Sequence, residues 1–228
     1  MSDNSTPQHY TGDAGREYHG GKRGIPAECF GWISRLRAEK FQPHVKSSDV
    51  VFEFGVGAGW NLASLQCARK IGCDVATFLA DDVRQRGIEF LPDTMSMPTA
   101  SIDAVLCHHA LEHVPDPFAT LQELQRLLKP GGKMLIFVPF ERERRYRKFN
   151  PAEPNHHLFS WNVQTFGNLV TDAGFNIQEL GLGKFRFDRF AAHLAHHLRL
   201  GERTFRFLRR TGLLIAAEYE IRLVAVVR

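Results

Sequence analysis

Residues 50–61 read VVFEFGVGAGWN: an apolar run holding one carboxylate, Glu53, then three glycines at alternate positions, Gly55, Gly57 and Gly59. Glycine lets backbone approach a ligand closely, because no Cβ stands between them. The spacing selects the ligand. A dinucleotide turn needs G-x-G-x-x-G, whose third glycine seats a helix with its N-terminus against a pyrophosphate; here the third glycine comes one residue early. A carboxylate at Glu53 would repel a pyrophosphate and suits a cationic group, such as the amino group of an amino acid. No Gly-Lys-Ser/Thr follows, and Trp60 stands where a phosphate-binding lysine would be sought, which disfavours ATP as a phosphoryl donor. Trp60 is expected to pack at the start of the next segment, with a place beside a bound cation as the alternative.

Such a loop works at the carboxyl edge of an open parallel sheet. Apolar runs of strand length alternate with segments of helical spacing, the pattern of an α/β, doubly wound, seven-stranded and mostly parallel sheet. Strands are expected at 50–54, 71–74, 88–91, 102–107, 133–138, 175–180 and 218–227, the last pairing antiparallel at the sheet edge. Helices are expected at 28–41, 61–70, 75–87, 118–128 and 162–173, with stops at Gly87, 130-PGG-132 and Gly174. Residues 1–27 are polar and read as a flexible segment that could fold over the site as a lid; 28–228 reads as one domain. Within it, 184–212 is a basic amphipathic insertion carrying Phe185, Phe187, Phe190, Leu194, Leu198, Phe205 and Leu208.

A chain of 228 residues, 43% hydrophobic, is long enough to bury one sizeable core. No run approaches the roughly 18 apolar residues of a membrane span, and the polar N-terminus lacks a signal peptide's apolar stretch, so a cytoplasmic protein is expected. Cys29, Cys67, Cys73 and Cys107 have neither zinc-type nor C-x-x-C spacing, which fits a reducing compartment. The net charge of +4 is unevenly placed, with basic residues in 142-RERRYRK-148 and again through 184–210. That asymmetry points to an anionic partner or to solvated helix faces.

Glu53-x-Gly55-x-Gly57-x-Gly59, 103-DAVLCHHALEHVPDP-117 and 129-KPGGKMLIFVP-139, in this order, resemble the motifs of class I S-adenosylmethionine-dependent methyltransferases, in particular the small-molecule group with an L-E-H-V segment after strand four. The resemblance covers about residues 45–180. It implies that Glu53 holds the methionine amino group and that the Gly55–Gly59 backbone passes beneath the methionine and ribose. It also implies an acid at the end of strand two for the ribose hydroxyls. Asp74 fills that position if Val75, Phe78, Leu79 and Val83 belong to the following helix, with Asp81 the alternative. Asp93, followed by Thr94 and Met95, matches the acid that accepts from the adenine amino group, and Cys107 and His108 fall where the family lines the methionine side.

Methyl transfer is an in-line displacement, helped by positioning and, for a hydroxyl acceptor, by removal of its proton. His109, His156 and His157 are the candidate bases, with His113 a packed residue of the L-E-H-V segment. Some ubiquinone-pathway and RNA-end relatives hold a divalent ion with E-x-x-E-H. This chain has His109-x-x-Glu112-His113, which replaces a hard oxygen ligand by an imidazole, so no metal is expected.

The acceptor is expected to be a small anionic molecule. Arg142, Arg144, Arg145, Arg147 and Lys148 would suit a nucleotide- or lipid-linked sugar, and 155-NHHLFSWNVQTFGNLVTDAGF-175 resembles bacterial methyltransferases of surface-polysaccharide sugars. RNA is the rival acceptor, disfavoured because the aromatics among the basic residues follow helical spacing instead of a strand face. DNA is not expected, and a non-catalytic binding protein is the remaining alternative. The 184–212 element also suits a homodimer contact or a membrane-surface helix.

Overall fold

A computed structural model describes residues 8–20, 24–141, 148–150 and 155–228. Seven strands, β1 (Val50–Phe54), β2 (Arg69–Cys73), β3 (Glu89–Leu91), β4 (Ile102–His108), β5 (Leu128–Phe140), β6 (Phe175–Phe185) and β7 (Glu218–Val227), form one sheet in the order β3-β2-β1-β4-β5-β7-β6. β1 to β5 pair parallel, and β7 runs antiparallel to both its neighbours. The strand order reverses between β1 and β4, the switch point at which open α/β sheets bind ligands.

β7 is not at the edge, as its sequence suggested, but lies between β5 and β6. Its apolar residues explain this. Ile221, Leu223 and Ala225 bury on one face of the sheet and Val224 on the other, whereas β6 exposes Asn176, Gln178, Glu179 and Lys184 and tolerates the edge.

Helices α1 (Gly12–Gly20), α2 (Phe30–Phe41), α3 (Ala80–Gln85), α4 (Pro117–Leu127), α5 (Val163–Asp172), α6 (Asp188–His197) and α7 (Glu202–Ile215) complete the described fold. On one face, Leu121, Leu124 and Leu127 of α4 and Phe166 and Val170 of α5 pack on Phe52, Val105 and Ile136. On the other, Ala38 and Phe41 of α2 and Val83 of α3 cover Val51, Leu106 and Leu135. α6 and α7 form an outer layer over α2, where Ala191, Ala192, Ala195 and Phe205 meet Cys29 and Ile33. α4 starts with Asp116 accepting from the Ala119 N–H and Pro117 in the first turn; α5 starts with a capping box between Asn162 and Thr165.

The helix expected at 61–70 is replaced by turns. One helical bond closes, Ala63 N–H to Gly59 O at 3.0 Å, and then Arg69 and Lys70 are taken into β2 opposite Val50 and Val51. Leu62 and Leu65 still bury, so the apolar spacing reported burial and not conformation. The helix expected at 75–87 shrinks to α3 after a single 3₁₀ turn at Thr77–Leu79, because Asp74 accepts from the Ala76 N–H (2.8 Å) and turns the chain first. No helix among the described residues is long and apolar enough to cross a membrane.

Candidate active site

A cavity of about 930 Å³ lies where β1, β2, β4 and β5 end, within the size range of small-molecule sites. Gly55, Gly57, Asn61 and Asp74 line it, as do His108, His109, His113 and His157, Tyr10 and Tyr18 from the N-terminal segment, and Arg186 and Phe187 just after β6.

The glycine loop leaves β1 with left-handed backbone at Gly55, Gly57 and Gly59 (φ 73°, 50° and 77°). A Cβ on Gly55 would lie 2.4 Å from the Ala110 Cβ, so this glycine is required by both conformation and space. Beyond Gly57 the nearest atom to such a Cβ is His19 Cε1 at 3.8 Å, and that side of the loop opens on the cavity. Gly59 instead faces Ile88 and fixes the loop to the core. Gly55→Ala is accordingly expected to destabilise the fold by about 2–3 kcal/mol and to weaken cofactor binding, measured by thermal melting and calorimetry; an unchanged melting temperature would show that the loop can rearrange.

Glu53 is fully buried and is not itself a cavity wall. Its Oε1 accepts a short hydrogen bond from Asn61 Nδ2, and Asn61 does line the cavity. Burial raises the Glu53 carboxyl to about 8, against the opposing pull of Asn61 and Arg37. Glu53 Oε2 and Asn61 Oδ1 have no hydrogen-bond partner among the described residues. Two buried acceptors beside a glycine cradle fit the ammonium end of an amino-acid ligand. Asn61 was not singled out in the sequence, where its place in an expected helix gave no signal.

Asp74 sits at the end of β2 on the cavity wall. Its Oδ2 accepts from the Gly57 N–H at 2.7 Å, tying the two loops together, and Oδ1 caps Ala76. Asp93 is elsewhere. Its Oδ1 accepts from the Met95 N–H at 2.9 Å in an exposed turn, Met95 is 88% exposed, and Asp93 and Met95 are walls of neither this cavity nor its neighbour. Thr94 lines the neighbour, a hollow of about 260 Å³ that shares Phe54, Pro115 and Thr120 with the larger cavity. Cys107 is buried beneath the site and does not line it.

His108 and His109 stack at 4.4 Å, and both approach Glu220, a fully buried acid on β7. His109 Nε2 lies 3.1 Å and His108 Nε2 3.4 Å from Glu220 Oε2, while Lys40 Nζ (2.8 Å) and the Arg222 guanidinium (2.7 Å) hold Oε1. Burial alone would raise Glu220, but Lys40 and the two imidazoles outweigh it and hold the carboxyl well below its usual range. Burial, with His109 beside it, pushes His108 well below an ordinary imidazole, so His108 is neutral at pH 7. His109 has left-handed backbone (φ 53°), as do Arg186 (130°) and Phe187 (67°), which also line the cavity. Non-glycine residues hold such conformations only when their surroundings impose them, and they gather at functional sites.

The second imidazole group comes from the L-E-H-V segment and the loop after β5. Tyr10 Oη lies 2.7 Å from His113 Nδ1 and donates to the Asn155 carbonyl at 2.7 Å. His113 Nε2 is 3.7 Å from Glu112, and His157 Nδ1 is 2.8 Å from Glu141. His156 turns away to stack on His9 at 3.8 Å, so of the two adjacent histidines only His157 reaches the cavity. Glu112, His113 and His157 offer ligand atoms within 4.8 Å of one another, a mixed nitrogen and oxygen set suited to a borderline ion such as zinc more than to magnesium. The His108, His109 and Glu220 group is equally close, but its carboxylate already faces two cations.

Trp60 stacks on Phe30 at 4.4 Å, the packing role expected of it, and also lines the cavity. Lys148 is exposed; Arg142, Arg144, Arg145 and Arg147, with Lys22 and Arg23, lie outside the described residues.

Residues 22–180 match a family model described as a methyltransferase domain. A ubiquinone biosynthesis O-methyltransferase of Xanthomonas oryzae pv. oryzae is 38% identical over 95 residues, which span 36% of this chain and 40% of that protein. A tRNA (carboxymethyluridine(34)-5-O)-methyltransferase of Macaca fascicularis is 33% identical over 115 residues, 48% of this chain and 17% of that protein. The chain thus spans well under half the length of these curated relatives. Among solved structures, the 1,6-didemethyltoxoflavin-N1-methyltransferase of Burkholderia thailandensis, with its substrate and S-adenosylhomocysteine bound, superposes with a TM-score of 0.61 over 94% of this chain and 85% of that one. At 18% identity this is a likeness of fold.

Proposed function

The chain belongs to the methyltransferase-domain family of class I S-adenosylmethionine-dependent enzymes, and on that premise we propose that it moves the methyl group to a hydroxyl of a small anionic molecule. The observation that carries this reading is a single cavity lined both by the glycine loop with Asn61 and Asp74 and by the imidazoles His108, His109, His113 and His157, with Arg37 and Arg186 among its cationic side chains.

Asn61, backed by Glu53, receives the amino group of the methionine part. Asp74 keeps lone pairs beyond those given to Gly57 and Ala76 and takes the ribose hydroxyls. S-Adenosylmethionine supplies an activated methyl on a sulfonium. The methyl carbon bonds to the acceptor oxygen as its bond to sulfur breaks, the bonding pair stays on sulfur, and the hydroxyl proton passes to His109. Glu220 faces Nε2 of His109, which assigns the proton on that nitrogen and leaves Nδ1 as the base. Glu220 is thus a positioning residue, like the carboxylate that orients a catalytic imidazole in hydrolases.

The acceptor reading rests on size and on side-chain chemistry: Arg37, Lys40, Arg186 and Arg189, among aromatic residues, line the cavity and would hold the phosphates of a phosphate-bearing sugar, beside the lining acids Glu112, Glu141, Asp188 and Glu218. RNA is the second reading, favoured by the likeness to a tRNA methyltransferase. Transfer of a labelled methyl group to nucleotide sugars compared with bulk tRNA separates the two. Calorimetry with S-adenosylhomocysteine, with NAD as the control, tests the cofactor. Asp74→Ala is expected to weaken its affinity roughly 10- to 100-fold with the fold intact, the loss of hydrogen bonds to a charged group. Binding of NAD in place of the sulfur ligand would sink the reading.

A further inference from the structure

The α6–α7 pair shows two unlike faces. Inward, Phe205 is fully buried, Arg206 is paired with Glu39 and Glu202, and Arg209 with Asp188. Outward, the exposed positions of α7 are Arg203, Phe207, Arg210, Thr211, Leu214 and Ile215, spaced so that they share one side of the helix. Phe207, Leu214 and Ile215 are 68%, 78% and 82% exposed. Leu198 and Leu200, exposed in the turn between the two helices, extend the apolar surface beyond one end of α7. No acid lies among the outward positions of α7, since Glu202 is half-buried and holds Arg35 and Arg206.

We propose that this outward face docks on an anionic lipid surface, with Phe207, Leu214 and Ile215 entering the headgroup boundary and Arg203 and Arg210 meeting lipid phosphates. An amphipathic helix with arginines interleaved among large apolar side chains binds in this way, the apolar area and the charge attraction adding. A second copy of the chain is the poorer occupant. A two-fold contact sets each patch against itself, so Arg203 and Arg210 would face arginines with no acid to meet them.

The location gives the docking a use. Phe187, Asp188, Arg189 and Phe190, at the start of α6, are walls of the large cavity. Gly212 of α7 lies against Phe187, so a docked hairpin would bring this part of the cavity lining near the membrane, toward an acceptor carried on a lipid diphosphate. That use rests on the proposed methyl transfer, but the docking does not, and it is tested without turnover.

The test is flotation of the full chain with phosphatidylcholine vesicles, with and without phosphatidylglycerol, alongside calorimetry with S-adenosylhomocysteine. Retention is expected on the anionic vesicles alone and is expected to fall with salt. Phe207→Ser/Leu214→Ser/Ile215→Ser and, separately, Arg203→Gln/Arg210→Gln are each expected to lower it by about tenfold or more with the cofactor affinity unchanged. Equal retention on both vesicle types, retention on neither, or variants that float like the parent would overturn the proposal. So would a concentration-dependent dimer that the triple serine variant abolishes without any vesicle binding, since the face would then belong to a second copy. Failure of the calorimetry alone would count against the cofactor reading and leave the docking standing.

Discussion

Replacing His109 with alanine is expected to cut kcat by about 10²- to 10⁴-fold, the ordinary worth of a general base, while the Kd for S-adenosylhomocysteine stays within about twofold. The acceptor identified by labelled-methyl transfer provides the assay. The separation of the two readouts follows from geometry. His109 pairs with Glu220, whereas Asn61 is held by Glu53 and Asp74 by the Gly57 and Ala76 N–H groups, so removing the imidazole leaves Asn61 and Asp74 in place. Glu220→Gln should also slow turnover and change its pH profile, because the neutral amide no longer holds the imidazole in one tautomer. It should destabilise the fold as well, by about 3–5 kcal/mol, since Lys40 is left buried beside Arg222 without its acid. Turnover unchanged in His109→Ala, with cofactor affinity reduced, would make His109 part of the cofactor seat and move the search for the base to His157.

The second large effect is a pair of opposite signs at Glu53. A carboxyl raised from 4.5 to about 8 stays protonated in the folded chain while the unfolded chain ionises freely. Its contribution to stability is therefore complete below pH 4.5 and is lost as pH rises to about 8, a fall of about 5 kcal/mol. Glu53→Gln cannot ionise and keeps an oxygen for Asn61. The ligand-free variant should match the parent at pH 5 and melt about 10 °C or more above it at pH 8.5. Its affinity for S-adenosylhomocysteine should fall at least about tenfold, because the ammonium group loses its counter-charge. In the parent, binding at pH 7 should release a proton, visible as a buffer-dependent heat. Parallel melting curves for parent and variant across this range would mean that Glu53 is already ionised in the free protein.

The parts of the fold legible in the sequence were those decided by local pattern. Val50–Phe54 and Glu218–Val227 are continuous apolar or alternating runs bounded by polar residues, and their ends were read to the residue. The turns at 61–68 were not legible, because the deciding contacts join Asn61 to Glu53 and Arg69 to Val50, and no helical period reports them. Burial of Leu62 and Leu65 at helical spacing pointed the wrong way. The same distinction divides the site. Gly55, Gly57 and Asp74 follow strand ends, so locating the strands located them. Glu220 lies 111 residues from His109 in sequence and meets it only because β7 enters the sheet beside β5. The one local hint was two acids and an arginine, Glu218, Glu220 and Arg222, alternating along a strand whose other side is apolar. Asp93 shows the converse: its position after β3 suggested adenine, yet it lines neither cavity and its Oδ1 accepts from Met95 in a short polar turn, which strand position alone does not report.

The insertion of β7 between β5 and β6 also orders events during synthesis. Strands leave the ribosome from β1 onward at roughly 5–20 residues per second, so the cofactor half of the cavity, built from β1, β2 and β4, can assemble while the chain is still growing. Until β7 is made, β5 lacks its antiparallel neighbour and β6 has no strand to pair with, since β7 joins both. Glu220 arrives with that strand. If Glu220 orients His109 as proposed, that orientation comes with the last strand, and only a chain carrying β7 is expected to turn over.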